Sequence, residues 1–186
     1  MITGPSGAGK GTLIQRLVER QPDLEVAVSA TTRPQRASEE NGREYWFLSE
    51  EEFVARIDEG AFLEHVDFVG SRYGTLASEI DRIGAEGKVC VLELEIEGAL
   101  RVQTEVEHAV TLFIAADVPE LERRLRARDT ESSGEIGHRI AQARHQLEQA
   151  YRFRYMVRND DVERATEAVA ALVERELQLA ATMARP

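Results

Sequence analysis

The chain has 186 residues, 42% hydrophobic and 31% charged, a size and composition that fit one globular domain with a full core. Its formal charge of −11, from 34 acidic against 23 basic side chains, argues against a general nucleic-acid surface; an anionic ligand must be gripped by local arginine clusters. No apolar run approaches the ~20 residues of a membrane helix, and the first residues lack an export-signal pattern, so a cytoplasmic protein with no membrane partner is expected. Cys90, the single cysteine, excludes an internal disulfide and a cysteine metal cluster, and its Val-Cys-Val-Leu setting reads as a buried structural thiol.

Met1-Ile2-Thr3 predicts a first strand shorter than the usual five or so residues, either a truly short strand or one whose true start lies upstream. The next residues are Gly4-Pro5-Ser6-Gly7-Ala8-Gly9-Lys10, a G-x-x-x-x-G-K phosphate-binding loop. Its glycines let successive N–H groups turn inward on an anion, and Lys10 can reach the outer phosphates of a nucleoside triphosphate. Gly11 stands where a Mg²⁺-binding Ser or Thr is usual, and Thr12 comes one residue later. Leu13, Ile14, Leu17 and Val18 have helical spacing, so a helix over 10–20 aims its N-terminus at the same anion.

A strand is predicted over 25–29, and then the character changes between Ala30 and Gly74. Thr31-Thr32-Arg33-Pro34-Gln35-Arg36 carries two arginines three apart, a spacing suited to a phosphate. Asn41-Gly42 predicts a turn, and residues 45–48 a strand. Ser49 with Glu52 three residues on predicts a capping box and a short helix through Phe53 and Ile57. Two small antiparallel strands, 62–69 and 71–75, follow around a glycine turn, so this stretch reads as an insertion with its own sheet. Beyond it, helices at 76–86, 98–106, 118–128, 135–150 and 162–183 alternate with strands at 88–93, 109–114 and 155–158. That alternation predicts an α/β fold, a three-layer α/β/α core on a parallel sheet. A polar interruption at 129–134 joins two arginine-bearing helices and reads as a lid. His65, His108, His138 and His145 are scattered without metal-ligand spacing, and no catalytic role is assigned to them.

Taken in order, these segments resemble the guanylate kinase family across essentially the whole chain. The matches are the loop from Gly4 to Lys10, Ser29-Ala30-Thr31-Thr32-Arg33 with Arg36, Asn41-Gly42, Tyr45, Phe62-Leu63-Glu64, and Tyr73-Gly74-Thr75. Arg128-Asp129-Thr130-Glu131, Arg139 and Asn159-Asp160-Asp161 extend them. The resemblance implies one domain with a core at 1–30, 76–127 and 151–186, a GMP-binding insertion at 31–75 and a lid at 128–150. It implies transfer of the γ-phosphoryl group of MgATP to GMP. Glu64 would accept hydrogen bonds from the ring N–H and exocyclic amine of guanine and repel the bare ring nitrogen of adenine. Ser29 and Thr75 would serve the 6-oxo edge, and Arg33, Arg36, Tyr45 and Tyr73 the monophosphate.

Where the family has Asp-x-Asp followed by Gln-Gly, this chain has Glu93, Glu95 and Glu97-Gly98. Glu95 matches a second base-reading carboxylate and Glu93 a metal-facing one, each displaced by an extra methylene of about 1.5 Å. Strand alternation would put both on one face. Thr12 is the other candidate for Mg²⁺, held largely through water. Arg128 and Arg139 match the pair that closes on the transferring phosphoryl with Lys10 and Arg33, and Asn159 a residue packed near adenine. The family's glycine after Arg128 is Asp129 here, and Gln146 stands where it often has Glu. Two other readings share the scaffold: a sugar-phosphate kinase, and a catalytically inactive protein-binding module. The residues do not choose between a monomer and a homo-oligomer.

Overall fold

The computed structural model of the chain describes residues 1–68, 70–127 and 133–183. In chain order the elements are β1 (Ile2–Thr3), α1 (Lys10–Arg20), β2 (Leu24–Val26), β3 (Ala30–Thr31), β4 (Trp46–Phe47), α2 (Glu50–Asp58), β5 (Phe62–Phe68), β6 (Ser71–Leu76) and α3 (Ala77–Ala85). There follow β7 (Val89–Val91), α4 (Ile96–Glu105), β8 (Leu112–Ala115), α5 (Val118–Ala127), α6 (Ser133–Glu148), a 3₁₀ turn (Ala150–Arg152), β9 (Tyr155–Arg158) and α7 (Val162–Met183). They gather into two compact units, Met1–Pro22 with Val110–Pro186, and Asp23–Ala109.

The first unit is built on a parallel sheet of order β1-β8-β9, with Ile2 beside Leu112 and Leu112 beside Tyr155. All four residues of β8, Leu-Phe-Ile-Ala, are buried, the continuous apolar run of a parallel strand covered on both faces. α1 buries Leu13, Ile14 and Leu17. Arg16 and Arg20 of α1 both pair with Glu163 of α7, the second at 2.9 Å. The buried Glu176 on α7 accepts from the Tyr155 hydroxyl at 2.5 Å and pairs with Arg154 at 2.9 Å, so the last helix is tied to β9 by a satisfied carboxylate.

The second unit holds a parallel pair, β2-β7, and a four-stranded sheet of order β4-β3-β6-β5. In that sheet β3 runs parallel to β4 and antiparallel to β6, the mixed pairing expected of the insertion. Its own small core joins Ala30, Phe53 and Leu76 to Trp46, Leu48, Ile57 and Phe62. The capping box at α2 is formed: Ser49 Oγ accepts from the Glu52 amide at 3.1 Å, and Glu52 accepts from the Ser49 amide at 2.7 Å. The glycine turn between β5 and β6 is at Gly70, with φ of 75°.

Strand ends differ from the local reading where the ladder partner decides them. The strand expected over 25–29 stops at Val26, and residues 30–31 form a separate strand that pairs with β4 and β6. β7 stops at Val91 because β2, its partner, ends there: Val26 pairs with Val91, and the Ala27 amide makes the last bond to the Val91 carbonyl. Glu93 therefore lies past the strand, and Glu95 is the N-cap residue of α4. Strand alternation does not order these two carboxylates. The strand expected from 109 begins at Leu112, opposite Ile2 of β1. Of the interruption expected at 129–134, residues 129–132 lie outside the described residues.

Candidate active site

In the first unit the loop from Gly4 to Gly9 leaves β1 and enters α1 directly. Gly4 has φ of 143° and Gly9 of 85°, conformations that side-chain-bearing residues rarely adopt. A Cβ on Gly4 would run into the Ile114 carbonyl, and one on Gly9 into the Asn159 amide nitrogen. Gly9 is the N-cap of α1, and no side chain caps that helix end. Uncapped N–H groups and the positive end of the helix dipole suit an anion. Lys10 Nζ donates to the Gly4 carbonyl at 2.8 Å and contacts Pro5 O at 3.5 Å, so the ammonium is curled over the loop.

Three side chains hold this loop. Asn159 follows β9, where its own amide bonds Ala115 O at 2.7 Å, and its Nδ2 donates to Ala8 O at 2.7 Å. Its Oδ1 is buried and lacks a partner. Arg124 on α5 reaches Gly7 O at 3.4 Å, Ala8 O at 3.3 Å and Asn159 O at 2.8 Å, while Glu120 holds its Nε at 2.6 Å. Arg139 on α6 donates to the Ser6 hydroxyl. Thr12 is exposed on the first turn of α1. Every residue expected at ATP thus falls in this one unit, with Arg139 on the loop itself. Arg128 lies outside the described residues. Arg124 was indistinguishable in sequence from a solvated helix face; its loop contacts span more than a hundred residues.

In the second unit Glu64 on β5 is 6% exposed, and its Oε1 accepts from Thr75 Oγ1 of β6 at 2.9 Å. Antiparallel pairing of Glu64 with Thr75 puts the two side chains together. The other oxygen faces Gly98 of α4, so closely that a Cβ there would overlap it. Burial pushes the Glu64 carboxyl above its ordinary value of 4.5, against the opposing pull of Thr75 and Arg101; Glu95 adds to the rise. A carboxylate, when ionised, is an acceptor-only group.

The arginine cluster lies in the same unit. Arg33 pairs with Glu39 at 2.8 Å, and its guanidinium stands 5.4 Å from the Tyr45 ring centre and 5.5 Å from that of Phe47. Tyr45 meets Tyr73 edge-on at 6.0 Å. Burial, then Glu93, raises the Tyr45 phenol, which keeps it a hydrogen-bond donor at neutral pH. Arg36 is mostly exposed, 3.9 Å from Glu39, whose other oxygen takes the Arg36 amide at 2.8 Å. Arg33 and Arg36 thus share Glu39, and Tyr45 links Arg33 to Tyr73. Ser29 precedes β3, its carbonyl held by the Trp46 amide at 2.9 Å. Glu39 was not singled out in the sequence, because a lone glutamate in a polar loop carries no local signal. Among the described residues no cluster of three His, Cys, Asp or Glu side chains could hold a metal.

A family model described as guanylate kinase matches residues 1–176. The chain belongs to the guanylate kinase family. It is 42% identical to a guanylate kinase of Synechocystis sp. over 177 residues, covering 95% of this chain and 93% of the relative. It is also 42% identical to a guanylate kinase of Caldanaerobacter subterraneus, covering 93% and 84%. Among solved structures, a guanylate kinase from Anaplasma phagocytophilum superposes with a TM-score of 0.77 at 24% identity, covering 94% of this chain and 83% of that one. A shikimate kinase from Bacteroides thetaiotaomicron has a TM-score of 0.51 at 17% identity, covering 93% and 96%. These likenesses fit the expected phosphate-loop α/β fold.

Proposed function

We propose that this chain transfers the γ-phosphoryl group of ATP to the phosphate of GMP, releasing ADP and GDP. The observation that carries the reading is the buried Glu64 carboxylate, engaged by Thr75 on one oxygen and pressed against Gly98 at the other. Guanine presents a ring N–H and an exocyclic amine that such a carboxylate can accept, whereas adenine offers an acceptor at the corresponding ring position. Burying a carboxylate without donors is unfavourable, so a base that brings two is selected by roughly 10⁴-fold over one that brings none.

The division of labour follows the two units. In the first, the loop amides from Gly4 to Thr12 and the Lys10 ammonium take the ATP phosphates, and Asn159 lies by the adenine. Arg124 supports the loop by withdrawing its carbonyls to the rear, which leaves its N–H groups for the anion. In the second, Arg33, Arg36, Tyr45 and Tyr73 take the GMP phosphate, and Ser29, Thr75 and Glu95 join Glu64 at the base. The acceptor is an ionised phosphate oxygen and needs no protein base. The protein's task is to place it in line and to neutralise charge with Lys10, Arg33, Arg128 and Arg139. A bound Mg²⁺ would supply further positive charge at the ATP phosphates. Thr12 and Glu93 would be the chain's oxygens toward that metal, largely through water. Gly11 is compatible with that arrangement, since no direct hydroxyl ligand is required.

A coupled ADP-release assay with GMP, AMP, CMP and UMP, and with sugar phosphates, tests the reading. Release only with GMP is expected; release with a sugar phosphate, or with none of them, overturns it.

A further inference from the structure

Glu79 is 5% exposed on the first turn of α3, and no role at the nucleotide sites follows from the family resemblance. A glutamate at the third helical position commonly turns back to cap its own helix. Here it reaches away, and its Oε2 accepts the Val28 amide at 3.0 Å. Val28 lies in the break between β2 and β3, directly before Ser29. Ser29 is therefore flanked by two fixed points: its own carbonyl is held by the Trp46 amide, and the amide of Val28, the residue before it, by Glu79. The carboxylate is itself anchored. Arg82 donates to it from NH2 at 3.1 Å and from Nε at 3.4 Å, and the same guanidinium pairs with Glu25 of β2 at 2.7 Å. Lys88 pairs with Glu25 at 2.5 Å. Against the upward push of burial, Arg82 and then the Val28 amide hold the Glu79 carboxyl below its ordinary value, with a smaller contribution from the Trp46 indole.

We propose that Glu79 is a positioning residue for the GMP site, fixing the Val28 peptide and through it the place of the Ser29 hydroxyl. The inference rests on the assignment of Ser29 to the guanine edge. Arg82 and Glu25 form a rigid backing, so the loop between β2 and β3 is held by a charged acceptor where no strand ladder holds it. A charge-assisted bond to a backbone N–H is about twice as strong as a neutral one, which suits a short loop that must hold one hydroxyl in register.

The test is a double-mutant cycle between Glu79 and Ser29, read by steady-state kinetics with GMP and ATP varied separately. Glu79→Ala is expected to raise KM for GMP about tenfold, with kcat and KM for ATP within about twofold, the loss of one well-placed hydrogen bond at the base. Glu79→Gln, which keeps an acceptor for Val28, is expected to recover most of this, to within roughly threefold of the parent. Ser29→Ala alone raises KM for GMP, and the double variant is no worse than the stronger single one. Multiplying effects, an equal rise in KM for ATP, or an unchanged KM for GMP in Glu79→Ala overturn the proposal while the Ser29 assignment stands. A silent Ser29→Ala overturns that assignment and the proposal with it. Should Glu79→Ala fail to fold, the same cycle with Glu79→Gln decides by whether its smaller rise vanishes in the Ser29→Ala background.

Discussion

Gly98→Ala separates recognition from stability more cleanly than any change to Glu64 itself. Gly98 is buried in the first turns of α4, and its new Cβ would overlap Glu64 Oε2 and lie 3.0 Å from the carboxyl carbon. The change also removes a helical glycine, which favours the helix by ~1 kcal/mol. Against that gain stand overpacking, about 1–3 kcal/mol, and a weakened Glu64–Thr75 bond. The fold therefore loses no more than roughly 3 kcal/mol, a fall in Tm of about ten degrees at most. Recognition has no such compensation. Glu64 cannot withdraw without leaving Thr75, at 2.9 Å, and its displaced oxygens no longer meet the guanine donors. Losing one charged and one neutral hydrogen bond corresponds to roughly 3 kcal/mol, or ~10²-fold in kcat/KM for GMP. Initial rates at saturating ATP with GMP varied, beside calorimetric melting of the same sample, give both numbers. A kcat/KM for GMP within twofold of the parent would refute the argument, since Glu64 would then be free of the base.

Lys10→Ala is expected to lower kcat by ~10²–10³ with an unchanged melting temperature, measured by ADP release and calorimetry. Arg124→Met removes the donors behind Gly7, Ala8 and Asn159; KM for ATP should rise about tenfold while KM for GMP stays level, in the same assay with each substrate varied. Glu64→Gln tests the raised carboxyl by its pH dependence. Because the folded value lies above 4.5, the native state favours the protonated form; that stability is present below 4.5 and is lost as pH rises through the raised value. The neutral variant should accordingly melt above the parent at pH 8 and level with it at pH 4, and a constant difference across that range would contradict the assignment.

The phosphate loop was readable because its chemistry is local: glycine conformation, a lysine and a helix start all lie within nine residues of one another. The capping box at Ser49 was readable for the same reason. Arg124 was not, because i to i+4 pairing with Glu120 looks the same whether or not the guanidinium also touches a loop far back in the sequence. Glu79 was hidden likewise: a glutamate in a helical first turn is usually a dipole partner, and its true acceptor role depends on Val28, fifty-one residues earlier. The ends of β2, β7 and β8 were misplaced because a strand ends where its neighbour ends, and neighbours are set by topology. Glu93 and Glu95 shared that fate, since the alternation expected of them assumed a strand that had already stopped.

The pairing of Arg33 with Glu39 has a consequence for how the substrate is admitted. Both side chains are mostly enclosed, at 17% and 11% exposure, and Arg33 holds the Glu39 carboxyl below its ordinary range, so it stays charged in neutral solution. Under the proposed function, the guanidinium assigned to the GMP phosphate carries a built-in counter-ion. On that assignment an arriving phosphate would compete with the Glu39 carboxylate, and binding would be an exchange of partners more than the filling of a bare positive pocket. A monoanion with little else to offer gains almost nothing from that exchange. A nucleotide brings a doubly charged phosphate and, on the proposed reading, a base that Glu64 accepts, so it has more to set against the carboxylate. In a chain of net charge −11, Glu39 would then act as a threshold that keeps this place for a ligand recognised at both ends.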